Sequence, residues 1–85
     1  MSKQVKIAVL QRGWVAVGEH STDGDEIVLS NASIIRRWGT KKGLGELVSG
    51  PTTTTILDKA GTVRAHKLAV VLTVDCDAAA WEGKL

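Results

Sequence analysis

Valine, isoleucine and threonine make up 23 of the 85 residues, and phenylalanine and tyrosine are absent. Side chains branched at Cβ are stiff in a helix and pack well on a pleated surface, so this bias calls for strands. The pattern agrees. Val5, Ile7 and Val9 alternate with Lys6 and Ala8, the period of two of a half-buried strand spanning residues 4–10. Gln11-Arg12-Gly13 reads as a turn and residues 14–20 as the second strand. Asp23-Gly24 is a strong hairpin signal, with residues 26–29 as the returning strand. Three strands in the first 29 residues describe an antiparallel meander.

Ser30-Asn31-Ala32 reads as a breakpoint. The segment that follows, Ser33 to Gly39, fits two templates. As a helix it has Asn31 as N-cap and Ile34, Ile35 and Trp38 on one face. As a strand it places Ile34, Arg36 and Trp38 on one face and Ile35 and Arg37 on the other. The paired isoleucines followed by tryptophan favour the strand. Leu44 to Ser49 predicts one or two helical turns, closed by Gly50-Pro51. Residues 52–57 read as extended, 58–61 as a turn and 62–66 as a short strand. Residues 68–76 form the most apolar strand, expected at the centre of the sheet. Asp77 is a good N-cap for a short C-terminal helix over 78–81. The expectation is an α+β, mainly β fold: one domain over residues 1–85, a small antiparallel meander or partly closed sheet with one short helix and a short C-terminal helix.

Composition narrows the function. Hydrophobic residues at 44% and charged residues at 24% describe a globular chain. One cysteine excludes an intrachain disulfide, and the two histidines, at 20 and 66, fit no metal-ligand spacing. The longest apolar run, Leu68 to Leu72, is far below the ~20 residues of a membrane span. The start, Met1 to Lys6, carries no apolar signal core. A net charge of +2 is small for a dedicated nucleic-acid coat. A chain this short buries little more than ~60% of its unfolded surface, so self-association into a homo-oligomer is the expected extra source of stability.

No catalytic set stands out. Ser21 follows His20, but neighbours on a strand point to opposite faces. Cys76 lies between Asp75 and Asp77, where a thiol is held protonated. It reads as a small core residue, His20 as a surface residue near a turn, and Trp14 and Trp81 as packing residues. The expectation is a non-enzyme without metal or cofactor.

Anion binding has better support. Arg36, Arg37, Lys41 and Lys42 fall within seven residues around Trp38, and no acid occurs between Glu26 and Glu46. Guanidinium groups bind phosphate in bidentate fashion and an indole stacks on a base. The hydroxyls of Thr40, Thr53 and Thr54 and the ring of His66 complete the candidate ligand-binding set: Arg36, Arg37, Trp38, Thr40, Lys42, Thr53, Thr54 and His66. A solvated basic loop with Trp38 as a core or interface plug accounts for the same residues.

Leu29-Ser30-Asn31-Ala32, followed by Trp38 and by Leu44-Gly45-Glu46-Leu47, resembles a family of small phage-encoded proteins, most without an assigned activity. Its members show a strand ending Val-Val-Leu-Thr-Asn-Ala, then an aromatic and Arg-rich stretch, then a Leu-x-Glu-Leu helix. The resemblance covers about residues 13 to 81. The chain departs from the pattern after Ala32, where Ser33 and Ile34 stand in place of an arginine pair. The resemblance implies an accessory protein in the cytoplasm of an infected bacterium. Small phage proteins of this size often block host defences, and one class forms compact oligomers that withhold nucleotide immune signals such as cyclic ADP-ribose derivatives or cyclic dinucleotides. The function expected is sequestration of such a phosphate-bearing signal without turnover. The alternatives are a protein inhibitor of a host factor, which would expose an apolar patch, and a small nucleic-acid binder, which the low net charge disfavours.

Overall fold

A computed structural model describes residues 4–85; Met1 to Lys3, the first part of the segment read above for a signal core, lie outside the described residues. Five strands form one antiparallel sheet in the order β4-β3-β2-β1-β5. They are β1 (Val5–Leu10), β2 (Val15–Asp23), β3 (Glu26–Arg37), β4 (Ile56–His66) and β5 (Val70–Cys76). Three short 3-10 turns, η1 (Gln11–Gly13), η2 (Leu44–Ser49) and η3 (Lys67–Ala69), and the four-residue helix α1 (Ala78–Trp81) complete the chain. The mainly β architecture, the meander and the two helical segments are as the sequence predicts. Asp77 caps α1 by accepting from the Ala79 N–H at 3.1 Å.

The connection between β4 and β5 sets the shape. These strands lie at opposite edges, about 19 Å apart in a flat five-stranded sheet. The four peptide steps from His66 to Val70 reach at most about 14 Å. The sheet therefore curls until its edges approach, and stays open because β4 and β5 share no ladder. Gln11, the first residue of η1, donates to the Leu68 carbonyl at 3.4 Å, and the Lys67 N–H donates to the Asp25 carbonyl at 2.7 Å. The register of β2 with β3 shifts at Gly18. A Cβ there would lie 3.0 Å from both Ala32 Cβ and the Ser30 carbonyl oxygen, so only glycine lets the strands close this tightly.

The two faces of the sheet bury different residues. On the concave face Ala8, Ala16, Ile27, Leu29 and Ala32 are buried with Val63, Ala65 and Val70 against them. All five strands contribute and no α-helix does, so the sheet packs on itself through small side chains. On the other face Val5, Ile7, Val15, Val17 and Ile35 are covered by Leu47 of η2 and Trp81 of α1. Trp81 is fully buried and its Nε1–H donates to the Leu47 carbonyl at 2.9 Å. Burying an indole of this size contributes roughly 4–6 kcal/mol.

Several expectations are corrected. Ser30-Asn31-Ala32 does not break the chain; β3 runs through it, with Asn31 at φ +51° in an irregular stretch of the ladder. Asn tolerates this left-handed geometry better than most residues. Residues 33–37 are strand, the template that the sequence favours, and continue β3 to Arg37. Residues 58–61 are not a turn but part of β4, where Gly61 at φ +72° absorbs a register shift. Residues 52–55 fold into a turn instead of extending. The segment read as the central strand is at the edge: β5 pairs only with β1, and Val71 and Leu72 are 63% and 49% exposed. Trp14 is not a packing residue, at 58% exposed. His20 is half-buried in β2, opposite Leu29, and not beside a turn.

Candidate functional site

The end of β3 and the loop to η2 carry most of the predicted residues. β3 pairs Ile35 with Leu57 and then Arg37 with Ile56, so one extra residue, Arg36, bulges from the ladder. The strand ends at Arg37. The bulge and the strand end break the alternation that was to place Arg36 and Trp38 on one face. Arg36 instead turns to β4, where its Nε donates to Asp58 Oδ2 at 2.9 Å. No carboxylate lies within ion-pair distance of Arg37, Lys41 or Lys42 among the described residues, and all three are exposed.

The threonine run fixes the loop backbone. Thr55 Oγ1 donates to the Trp38 carbonyl at 2.6 Å, and Thr52 Oγ1 and Thr54 Oγ1 both donate to the Gly39 carbonyl, at 2.6 and 3.0 Å. Thr52 N–H in turn donates to Thr55 Oγ1 at 2.9 Å. These hydroxyl protons are spent inside the fold, so Thr54 holds the site in place rather than offering a donor to a ligand. Gly39 has φ +65°, and a Cβ there would lie 2.5 Å from the Thr54 carbonyl carbon and the Thr55 nitrogen. The clamp therefore requires glycine. It presents Trp38, 41% exposed, on a fixed backbone. Thr53 is exposed and its hydroxyl has no partner among the described residues; Thr40 is half-buried beside Gly39.

Glu46 closes the loop from the other side. Its Oε2 accepts from the backbone N–H groups of Lys41 and Lys42, at 3.1 and 3.0 Å. Successive N–H groups converging on one oxygen form a small anion-binding nest, here filled by a carboxylate of the same chain.

His66 stands apart from this group. It ends β4, opposite Glu26, whereas Arg37 pairs with Ile56 at the strand's beginning. Its Nδ1 accepts from the Leu68 N–H at 3.1 Å, which makes it the cap of η3. The structure thus gathers Arg36, Arg37, Trp38, Thr40, Lys42, Thr53 and Thr54 at one end of β3 and excludes His66.

The other titratable groups sit elsewhere. Burial, then the Lys6 charge, push the His20 pKa down, against an opposing pull from Asp75. Burial chiefly pushes the Cys76 thiol up to about 11. Among the described residues no three His, Cys, Asp or Glu side chains come together as a metal-binding group, and no helix is long and apolar enough to cross a membrane.

Sequence reasoning missed an exposed apolar surface. Trp14, Leu68, Val71 and Leu72 all lie around the η1–η3 end of the sheet, Leu68 at 76% exposed. Val9 pairs with both Val15 and Leu72, and Leu10 with Val70. The run of apolar residues from 68 to 72 was the available signal, read as core.

Comparison with protein-family models, with curated proteins and with solved structures finds no match to this chain.

Proposed function

We propose that the protein binds a phosphate-bearing nucleotide at the β3–η2 end and holds it without turnover. The observation that carries this reading is the set of three cations whose side chains have no ion-pair partner among the described residues, Arg37, Lys41 and Lys42, around a half-exposed Trp38 on a clamped backbone. Trp38 offers a stacking surface for the base. Arg37 offers a bidentate donor for phosphate. The two lysines flank it as mobile point charges. With the resemblance to small phage proteins, the ligand class is a nucleotide immune signal of the cyclic ADP-ribose or cyclic dinucleotide type, withheld in the cytoplasm of an infected bacterium. Calorimetric titration with a cyclic ADP-ribose and with a cyclic dinucleotide tests the reading. Saturable binding to one of them, lost in Trp38→Ala with the fold intact, supports it; no heat with either overturns it for those classes.

A second reading has its own observation. The exposed Trp14, Leu68, Val71 and Leu72 surface is of the kind that marks a protein-binding face. On this reading the chain inhibits a host factor by direct contact. Mixing Leu68→Lys and Trp14→Lys variants into an infection assay separates the two: loss of effect there, with nucleotide binding unchanged, favours protein contact.

A further inference from the structure

We infer that β5 is the dimer edge of this protein, pairing antiparallel with β5 of a second copy about a two-fold axis at Thr73. Only part of the outer edge of β5 has open backbone groups. His20 N–H donates to the Gln4 carbonyl and Leu10 N–H to the Trp14 carbonyl, both at 2.7 Å, at the two ends of the β1–β2 ladder. Hydrogen-bonded and non-bonded pairs alternate along an antiparallel ladder. Lys6 and Ala8 therefore face β2, and Val5, Ile7 and Val9 face β5. Their partners Cys76, Val74 and Leu72 turn their backbone groups to β1. Thr73 and Asp75 turn theirs outward. The next outward group, the Asp77 N–H, is taken by the Val48 carbonyl at 2.9 Å, which closes the edge at that end. At the other end Val71 is the extra residue of a bulge and η3 ends two residues before it. The open stretch runs from Val71 to Asp75, and Thr73 is its midpoint.

The two edges of the sheet are guarded differently. β4 carries Asp58, Lys59 and Arg64 and the kink at Gly61, features that keep an edge from pairing. β5 carries Val70, Val71, Leu72 and Val74 with one charge, Asp75. That charge is already compensated by Lys6 Nζ at 3.5 Å. Charge also selects the register. A two-fold at Asp75 would set two carboxylates opposite each other. A two-fold at Thr73 sets Asp75 opposite the second copy's Val71 and brings Leu72 against the second copy's Val74 on one face. The edge is thus complementary to itself in one register, which selects a second copy as the occupant over an unrelated strand.

Cross-linking in a Cys76→Ala background tests the register, with sedimentation velocity for the mass. Opposed Cα atoms in such a pair lie about 5.5 Å apart, within disulfide range, whereas residues displaced two positions from the axis lie about 14 Å apart. Thr73→Cys is expected to oxidise to a covalent dimer of twice 9.0 kDa, and Val71→Cys to remain a single chain. Wild type is expected to sediment as a dimer, and Leu72→Lys as a folded monomer by circular dichroism. A monomeric wild type at about 50 μM, well above the range where specific dimers form, overturns the inference. So does a dimer unaffected by Leu72→Lys, or equal cross-linking at 71 and 73. A variant that loses its strand signal is replaced by Val71→Lys, whose side chain is already exposed.

Discussion

Trp81 donates its indole N–H to the carbonyl oxygen of Leu47, 34 residues earlier, inside the core. This one bond ties the C-terminal helix to the turn that covers the convex face of the sheet. Trp81→Ala removes a fully buried ring and leaves the Leu47 carbonyl without a donor. It is expected to cost about 3–5 kcal/mol. Trp81→Phe keeps most of the packing and loses the bond, at about 1–3 kcal/mol. Urea unfolding of both variants measures the split; equal losses would place the whole effect in the hydrogen bond.

Ser33 is buried with no partner for its hydroxyl among the described residues. Ser33→Ala removes an unsatisfied polar atom and changes volume little. It is expected to leave stability unchanged or raise it by up to about 1–3 kcal/mol. A loss in the same unfolding assay would mean that the hydroxyl has a partner in solution.

Gly39→Ala sets a methyl group against the Thr54–Thr55 backbone at a φ of +65°. Gly13→Ala, at φ +81° with nothing within 4 Å, meets only the conformational strain. The Gly13 variant is expected to lose about 1 kcal/mol and the Gly39 variant clearly more, with nucleotide binding weakened. Thermal unfolding of the pair isolates the clash; equal shifts would remove the clamp from the account.

Two internal carboxylates compete with any anion at the site. Asp58 occupies Arg36 and Glu46 occupies the Lys41 and Lys42 N–H groups. Asp58→Asn is expected to tighten nucleotide binding, because Arg36 is then free. Arg37→Ala, which removes an uncompensated charge, is expected to weaken it by ~10- to 150-fold. Calorimetry against the same nucleotide reads both; weaker binding in Asp58→Asn would show that the ion pair organises the site.

Stability should fall on both sides of neutrality, for separate reasons. An unfolded His20 takes up its proton near about pH 6.5, and the folded one only at lower pH. The unfolded state then binds more protons, so stability drops as pH falls below about 6.5. Cys76 works the other way. Its unfolded thiol ionises at about pH 8.5 while the folded one holds its proton to about 11, so stability drops as pH rises between them. His20→Gln should flatten the acid limb and Cys76→Ala the alkaline limb of stability against pH. Unchanged limbs would assign them to other groups.

The strands with strict alternation, β1 and the first hairpin, were legible because period and turn chemistry agree there. Asp77 was legible as a cap because its bond is local. The course of β3 and β4 was not, since Asn31 and Gly61 look like turn or loop signals and act as irregularities within long strands, and the bulge at Arg36 has no local signal. The edge position of β5 was hidden because an apolar strand reads the same whether it faces a core or a partner. The acid-free stretch around Trp38 was visible, but Asp58 sits on Arg36 only through the β3–β4 ladder, a pairing that no local spacing encodes. His66 looked like a ligand because a cap of a three-residue turn leaves no sequence signature.

On the proposed function, the β3–η2 end holds a nucleotide and leaves it intact. Native mass spectrometry of protein purified from bacteria making nucleotide immune signals measures this most directly. The protein is expected to carry the mass of a nucleotide, released unchanged on heating, and absent from Arg37→Ala protein that is folded. Bare protein from such cells, or recovery of a cleaved product, would contradict it.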